Sequence, residues 1–239
     1  MTTMSKGSAL ILGICCVLGL LGLAYILKSA ALEVKQFERS VTVKGLAEQE
    51  YPADIVIWPI QFTFAENDLS KLYALVDSSS KKIINFLQAN AIDASEISID
   101  PPTIMDKNAQ QYGSDNNVKF RYTAVQTITV YANDVTRVRK VMSSISELGK
   151  EGIVFSGDNY NAQVEYIFSQ LNAIKPAMIE QATNNARAVA EKFAADSHSR
   201  LGKIKQASQG QFSISDRDKN NPHIKMVRVV STVEYYLAD

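Results

Sequence analysis

Apolar and polar residues alternate in several stretches of the chain, and this two-residue period predicts β-strands. The stretches are residues 41–43, 55–64, 97–100, 120–130, 153–168, 203–214 and 226–237. Within residues 55–64 one face carries large apolar side chains, namely Val56, Trp58, Ile60, Phe62 and Phe64. Pro59 lacks a backbone donor, so we expect this strand to lie at a sheet edge or to contain a bulge.

Three segments between the strands have apolar residues at every third or fourth position, which predicts helices. Asn67 or Asp68 can cap the first helix, and Asn133-Asp134 caps the second, which Gly149 ends. The third begins near Asn172 and is the longest. Its expected inward face comprises Ile174, Met178, Ala182, Ala186, Val189 and Phe193, flanked by Ala190 and Ala194.

The predicted element order is ββαββαβαββ, which is typical of an α+β fold with three helices on one face of a mostly antiparallel sheet. We assign residues 41–239 to this domain and consider a division into two half-domains near residue 118. Residues 105–117 have no period and favour loops, so we expect an exposed excursion that joins two strands. About 200 residues can bury a full core without help from a metal or a disulfide.

The beginning of the chain has a different pattern, because residues 9–27 are apolar and uncharged. As a helix this run would be about 28 Å long, close to the hydrocarbon thickness of a bilayer. We therefore interpret residues 1–28 as one N-terminal transmembrane anchor and residues 29–40 as a stalk. A cleaved secretory signal is the alternative, because Ser29-Ala30-Ala31 has the small-x-small pattern of a cleavage site.

The charges around the apolar run leave its orientation open. Lys6 precedes the run, whereas Lys28, Lys35 and Arg39 follow it, a distribution that favours a cytoplasmic C-terminal part. Long domains, however, are translocated largely regardless of flanking charge.

The overall charge balance is 25 basic against 25 acidic residues, but the two parts of the chain differ. Residues 1–28 contain Lys6, Lys28 and no acidic residue, so the remaining part carries 23 basic and 25 acidic groups, a net charge of −2. Both cysteines, Cys15 and Cys16, also lie in the apolar run. The part of the chain after residue 28 thus lacks a disulfide, a cysteine nucleophile and a thiolate zinc site. It also lacks the basic excess expected for nucleic-acid binding.

Few sequence features point to catalysis or cofactor binding. Neither G-x-G-x-x-G nor G-x-x-x-x-G-K-[ST] occurs, and His198 and His223 lie far apart without a metal-ligand motif. The turn at Ser156 resembles a hydrolase nucleophile turn but lacks the first glycine of G-x-S-x-G. Asp54 and Glu66 are expected to be solvated strand ends. We predict no catalytic, cofactor-binding or metal-binding residues and no cofactor.

The conspicuous aromatic residues allow a structural and a functional interpretation. We expect Trp58 and Tyr235 to face the core. The alternative makes Trp58, Tyr235 and Tyr236 contact anchors between subunits or for a ligand.

Sequence patterns in residues 40–238 resemble one family by their order along the chain. They are Val41-Thr-Val-Lys-Gly45, Tyr51-Pro-Ala-Asp54, residues 122–134, 152–155, 182–192, 201–204 and 227–233. Together they resemble the SIMPL-domain family of bacterial envelope proteins, which includes the 26 kDa periplasmic immunogenic proteins. The resemblance implies an α+β envelope protein, periplasmic in Gram-negative bacteria, without established catalytic residues. Some family members form large ring- or channel-like oligomers, and roles in oxidative or envelope stress have been suggested.

From the residues and the resemblance together, we expect a non-enzymatic, membrane-anchored envelope protein that acts by self-assembly into a ring- or channel-like oligomer. It would cross the inner membrane once, through residues 9–27, with its C-terminal domain in the periplasm. The alternative is a ligand- or partner-binding periplasmic module with a pocket lined by aromatic residues such as Trp58 and Tyr122. A hydrolase that uses Ser156 ranks third.

Overall fold

The computed structural model describes residues 6–37, 39–109, 119–156 and 162–238. Its helices are α1 (Lys6–Phe37), α2 (Leu69–Ala89), α3 (Val135–Ser144), α4 (Ser146–Lys150) and α5 (Leu171–Asp196). Its strands are β1 (Ser40–Pro52), β2 (Ile55–Glu66), β3 (Ile97–Ile99), β4 (Thr103–Asp106), β5 (Tyr122–Ala132), β6 (Glu165–Ile167), β7 (Arg200–Gln209), β8 (Ser213–Asp216) and β9 (Ile224–Ala238). The predicted α+β class is confirmed.

The strands form two sheets rather than the single sheet predicted from the sequence. One sheet has the order β1-β9-β7, with β8 also paired to β9, and the other has the order β3-β5-β2-β6, with β4 also paired to β5. Every pairing whose register is described is antiparallel. The predicted element order omits β4 and separates neither β8 from β7 nor α4 from α3, because segments this short show too little period to identify.

The strand β2 shows how its proline is tolerated. Its register with β5 runs without a shift from Val56↔Ala132 to Glu66↔Tyr122, whereas β6 pairs only with residues 55–57. Backbone bonds from Gln61 and Thr63 reach residues 154–156 on the β6 side. Pro59 lies two and four residues before Gln61 and Thr63, and backbone groups two residues apart in a strand point to the same side. The nitrogen of Pro59 therefore faces the gap between β6 and residues 154–156. The predicted bulge is absent from this pairing.

Contacts divide the chain into two compact units. Unit 1 comprises residues 1–48, 174–213 and 228–239, and unit 2 comprises residues 49–173 and 214–227. These boundaries differ from a division near residue 118. The reason is that β1 pairs with β9, so the two ends of the domain fold together. Of the predicted excursion at residues 105–117, residues 105–106 belong to β4 and residues 110–117 lie outside the described part of the chain.

The core of unit 2 forms where α2 and α3 cover β2 and β5. Its fully buried side chains include Val56, Phe62, Leu72, Ile83, Leu87, Ile128, Val130 and Val138. Asp68 accepts from the backbone nitrogen of Lys71 at 3.0 Å, and Asp134 accepts from that of Arg137 at 2.9 Å. These bonds satisfy free donors at the starts of α2 and α3, which confirms the two predicted caps.

The core of unit 1 forms where α5 lies on the sheet. Small residues every four positions face inward on α5, namely Ala182, Ala186, Ala190 and Ala194, with Met178 before them. Val189 and Phe193 are 42% and 57% exposed, so their predicted inward position is wrong. The helix approaches β1 too closely for large side chains, as Gly45 shows.

The helix α1 contains the apolar run that begins the sequence. Among the residues that the structure describes, no helix is both long enough and apolar enough to span a membrane. The membrane-spanning prediction for residues 9–27 is not confirmed.

Candidate functional site

A polar cavity of about 300 Å³ lies in unit 2, beside β6 and the turn between β8 and β9. Its lining residues are Gln163, Val164, Glu165, Tyr166, Asp216, Pro222 and Lys225. The lining residues therefore include charged, amide, aromatic and aliphatic types. This composition suits a site that both hydrogen-bonds and packs against a small ligand.

Two of the lining residues, Lys225 and Asp216, form an ion pair. Lys225 is the second residue of β9 and only 8% exposed, whereas Asp216 ends β8 and its side chain is 49% exposed. A buried ammonium needs a partner, because an uncompensated buried charge costs several kcal/mol. Asp216 supplies that partner and still presents its carboxylate to solvent.

The turn between β8 and β9 brings these two residues together. The backbone nitrogen of Arg217 donates to the carbonyl oxygen of Ile224 at 2.9 Å, which closes the turn. Inside it, Asp218 accepts from the backbone nitrogens of Asn220 and Asn221, each at 2.9 Å. A hydrogen bond from Arg217 lowers the pKa of Asp218 and keeps it ionised in this role.

Beside the cavity, Tyr166 packs edge-to-face on His223 with ring centroids 6.0 Å apart. Burial raises the pKa of the Tyr166 phenol, and the neighbouring guanidinium of Arg139 offsets part of that rise. Burial lowers the pKa of His223, and the positive charges of Arg139 and Arg217 lower it further. At neutral pH both rings are therefore uncharged, and they offer packing and neutral hydrogen bonds.

The segment after β6 is held in place by Asp54. Its carboxylate accepts from the backbone nitrogen of Ser169 at 2.7 Å and from the hydroxyl of Ser169 at 2.6 Å. Burial acts to raise the pKa of Asp54, but the bonds from Ser169 outweigh it and the pKa lies below its usual value. Ala53 next to it donates to the carbonyl oxygen of His223 at 2.8 Å. Asp54 thus lies at the start of β2, as predicted, and there positions the segment that follows β6.

A second candidate surface lies on α5 in unit 1. Val189 and Phe193 are exposed one turn apart, and they line a shallow groove of about 310 Å³ with Ala188, Lys192 and Asp196. Large exposed apolar side chains also follow one another along α1. They are Ile14, Val17, Leu18, Leu20, Leu21, Leu23, Tyr25, Ile26 and Leu27, each at least 52% exposed.

The predicted aromatic residues divide between core and surface. Trp58 is 6% and Tyr235 1% exposed, which confirms that both are core residues. Tyr236 is partly exposed, with the ammonium of Lys205 5.8 Å from its ring centroid. Tyr122 packs against the core of unit 2. Neither Trp58 nor Tyr122 lines the polar cavity.

The remaining candidate residues have structural surroundings. The Ser156 hydroxyl lies 3.0 Å from the hydroxyl of Thr63, which offers no general base, and residues 157–161 after it lie outside the described residues. His198 is exposed just beyond the end of α5. Within the described part of the chain, no group of three or more His, Cys, Asp or Glu residues is placed to hold a metal ion.

The sequence patterns did not predict the cavity residues, although the pattern around one of them, Lys225, is unusual for a lysine. Lys225 has the same parity along β9 as the buried Val227 and Val229, so the alternation places a lysine at an inward position. Asp216 and Tyr166 carry no such signal, because only the folded turn and the short strand β6 bring them near Lys225.

The chain matches a protein-family model. A family model described as SIMPL, a protein of unknown function (DUF541), matches residues 41–233, which is more than half of the chain. No curated protein matches the chain.

Proposed function

The chain belongs to the SIMPL family, and from this premise we propose that it is a non-enzymatic envelope protein that acts by self-assembly. The observation that carries the proposal is the exposed apolar surface of unit 1 on α5 and α1. Contiguous exposed apolar surface is costly in water and marks a contact surface when it is not covered.

On α5 the contact would centre on Val189 and Phe193. The inward stripe of small residues leaves these two side chains on the solvent side, next to a groove. Covering them removes apolar area from water, which is the main favourable term in association. Their position on one rigid helix also limits the entropy lost on binding.

The charges beside this patch favour a second copy of the same chain as its partner. Lys192 and Asp196 lie one turn apart and flank Phe193 in the sequence. Two copies of α5 packed antiparallel about Phe193 would place Lys192 of each copy near Asp196 of the other. Such a contact is isologous, because the same patch serves both partners.

A second surface would extend assembly beyond a dimer. One isologous patch stops at two subunits. Dimers would join through α1, whose apolar side chains can pack on one another between neighbouring copies within the membrane. The family resemblance makes a ring- or channel-like particle the form that we propose. It is also the basis for proposing a role in oxidative or envelope stress.

We further propose attachment to the inner membrane through residues 9–27, with the domain in the periplasm. The uncharged sequence of this run and the exposed apolar residues of α1 support that location. A reporter that is active only outside the cytoplasm, fused after residue 239, should be active. An inactive fusion that is present at normal abundance would reverse the localisation.

Multi-angle light scattering of the detergent-extracted full chain tests the self-assembly proposal. We expect a particle of several subunits whose mass is constant over a wide range of protein concentration. A monomer throughout that range would contradict the proposal.

A second candidate function is a ligand-binding envelope module, which the polar cavity of unit 2 favours. In this case the domain would hold a small molecule without transforming it. A thermal-shift screen of small polar molecules tests this function, since a ligand that binds the folded state raises the unfolding temperature.

A further inference from the structure

We infer that the polar cavity of unit 2 binds a neutral, polyhydroxylated ligand, that is, a saccharide. The inference names the ligand class of the binding module and does not depend on self-assembly. The volume of about 300 Å³ lies at the lower end of the range for small-molecule pockets, which limits the ligand to a small one.

The Lys225–Asp216 pair offers donors and acceptors side by side. An ammonium has three N–H donors and a carboxylate has about four lone-pair sites, so the pair retains hydrogen-bonding capacity after its own contact. A hydroxyl both donates and accepts. Two neighbouring hydroxyls of a sugar can therefore accept from Lys225 and donate to Asp216 at once.

The charges of the cavity argue against a charged ligand. An anion that binds the ammonium of Lys225 would lie beside the carboxylates of Asp216 and Glu165, which repel it. A cation that pairs with the carboxylate of Asp216 would displace the buried Lys225 from it. The ammonium of Lys225 would then be a buried charge without a partner, which is strongly unfavourable. A neutral ligand satisfies both groups and leaves the pair intact.

The rest of the lining suits the other features of a sugar. Pro222 contributes a ring that can pack against the C–H face of a pyranose, and Tyr166 and Val164 lie beside it with part of their surface packed on the core of unit 2. Gln163 adds an amide, which donates and accepts like a hydroxyl. The cavity therefore combines apolar surface with paired donors and acceptors.

Ligand-observed NMR on the full chain, in a detergent without a sugar headgroup, tests the inference. The probes are glucose and N-acetylglucosamine, which are neutral, with galacturonate as the anionic and glucosamine as the cationic comparison of similar size. We expect the neutral sugars to bind with a Kd of about 1 mM and the charged ones to bind at least tenfold more weakly. The inference is overturned if no neutral sugar binds at about 20 mM or if a charged sugar binds more tightly.

Variants connect the binding to this cavity. Asp216→Asn and Tyr166→Leu should each weaken neutral-sugar binding about tenfold, the usual scale for losing a hydrogen bond to a charged group or a packing surface. Tyr73→Leu, on the exposed face of α2, is the matched control and should bind like the parent chain. If Asp216→Asn fails to fold, Lys225→Met combined with Asp216→Leu removes the pair together and should abolish binding. Parental binding in the folded cavity variants would overturn the inference.

The same samples keep the two proposals apart. Light scattering of each variant reports the assembly, and NMR reports the sugar. Binding by a monomeric chain would contradict self-assembly alone, and an oligomer that binds no sugar would contradict the saccharide site alone.

Discussion

Gly45 of β1 lies directly under Ala186 of α5, with no space for a side chain between them. A Cβ added to Gly45 would lie 2.9 Å from the Cβ of Ala186 and closer still to the carbonyl oxygen of Ala182. Next to this contact, the side-chain amide of Asn185 donates to the carbonyl oxygen of Leu46 at 2.7 Å. The helix is therefore held against the strand at backbone distance, which leaves the larger Val189 and Phe193 on its outer side.

Replacing Gly45 by alanine should destabilise unit 1. The added methyl group has to displace α5, and overpacking of this kind costs about 1–3 kcal/mol of unfolding free energy. Gly149→Ala is the matched control, because an added Cβ there meets no atom within 4 Å, and it should be neutral or slightly stabilising. Chemical denaturation of both variants measures the difference. Equal stabilities would show that the close contact is unimportant.

The outer position of Val189 and Phe193 could not be predicted from the sequence. The helical period identifies α5 and its apolar side, but Val189 and Ala190 lie on adjoining parts of that side. Hydrophobicity favours burying the larger residue, whereas the approach to Gly45 admits the smaller one. That choice depends on a strand more than a hundred residues away, and no local pattern contains it.

In the other elements and in the candidate site, too, the sequence predicts features that depend on neighbouring residues but not those that depend on distant segments. Local rules predicted the caps Asp68 and Asp134, because each bond spans three residues. Alternation along β9 contained a signal for the buried Lys225. The division into two sheets and the placement of Tyr166 beside His223 depend on pairings between distant segments.

Asp54→Ala should lower stability by about 1–2 kcal/mol, because the backbone nitrogen and hydroxyl of Ser169 lose their acceptor. Asp77→Ala is the control, since Asp77 forms an exposed ion pair with Lys81 within α2 and should contribute about 0.5 kcal/mol or less. Thermal unfolding of the two variants tests this ranking. A larger loss for Asp77→Ala would refute the positioning role of Asp54.

His223 should make stability fall as the pH is lowered. Its pKa in the folded chain lies below the ordinary value of 6.5, because burial and the charges of Arg139 and Arg217 disfavour the protonated form more than Asp218 favours it. Near and below pH 6.5 the unfolded chain protonates this histidine more readily than the folded chain does. The free energy of unfolding therefore decreases as the pH falls below about 6.5. The free energy of unfolding, measured between about pH 7 and pH 5, should therefore decrease with falling pH, and His223→Gln should make this decrease smaller. His198→Gln serves as the comparison, and an equal reduction in that variant would exclude His223 as the cause.

A charge exchange tests the proposed antiparallel contact between copies of α5. Lys192→Asp should weaken assembly, because acidic groups then face one another across the contact. Adding Asp196→Lys restores complementarity and should recover the parental particle. If the double variant assembles less than the single one, the partner of this face is something other than a second copy in that orientation.

The most direct test of self-assembly is the particle mass after removing the apolar patch of α5. Val189→Ser and Phe193→Ser are introduced together, and Tyr73→Ser with Leu75→Ser on the exposed side of α2 is the matched control. Multi-angle light scattering in the same detergent should give the parental mass for the control and a smaller particle for the α5 variant. An α5 variant that is folded and retains the parental mass would contradict the account.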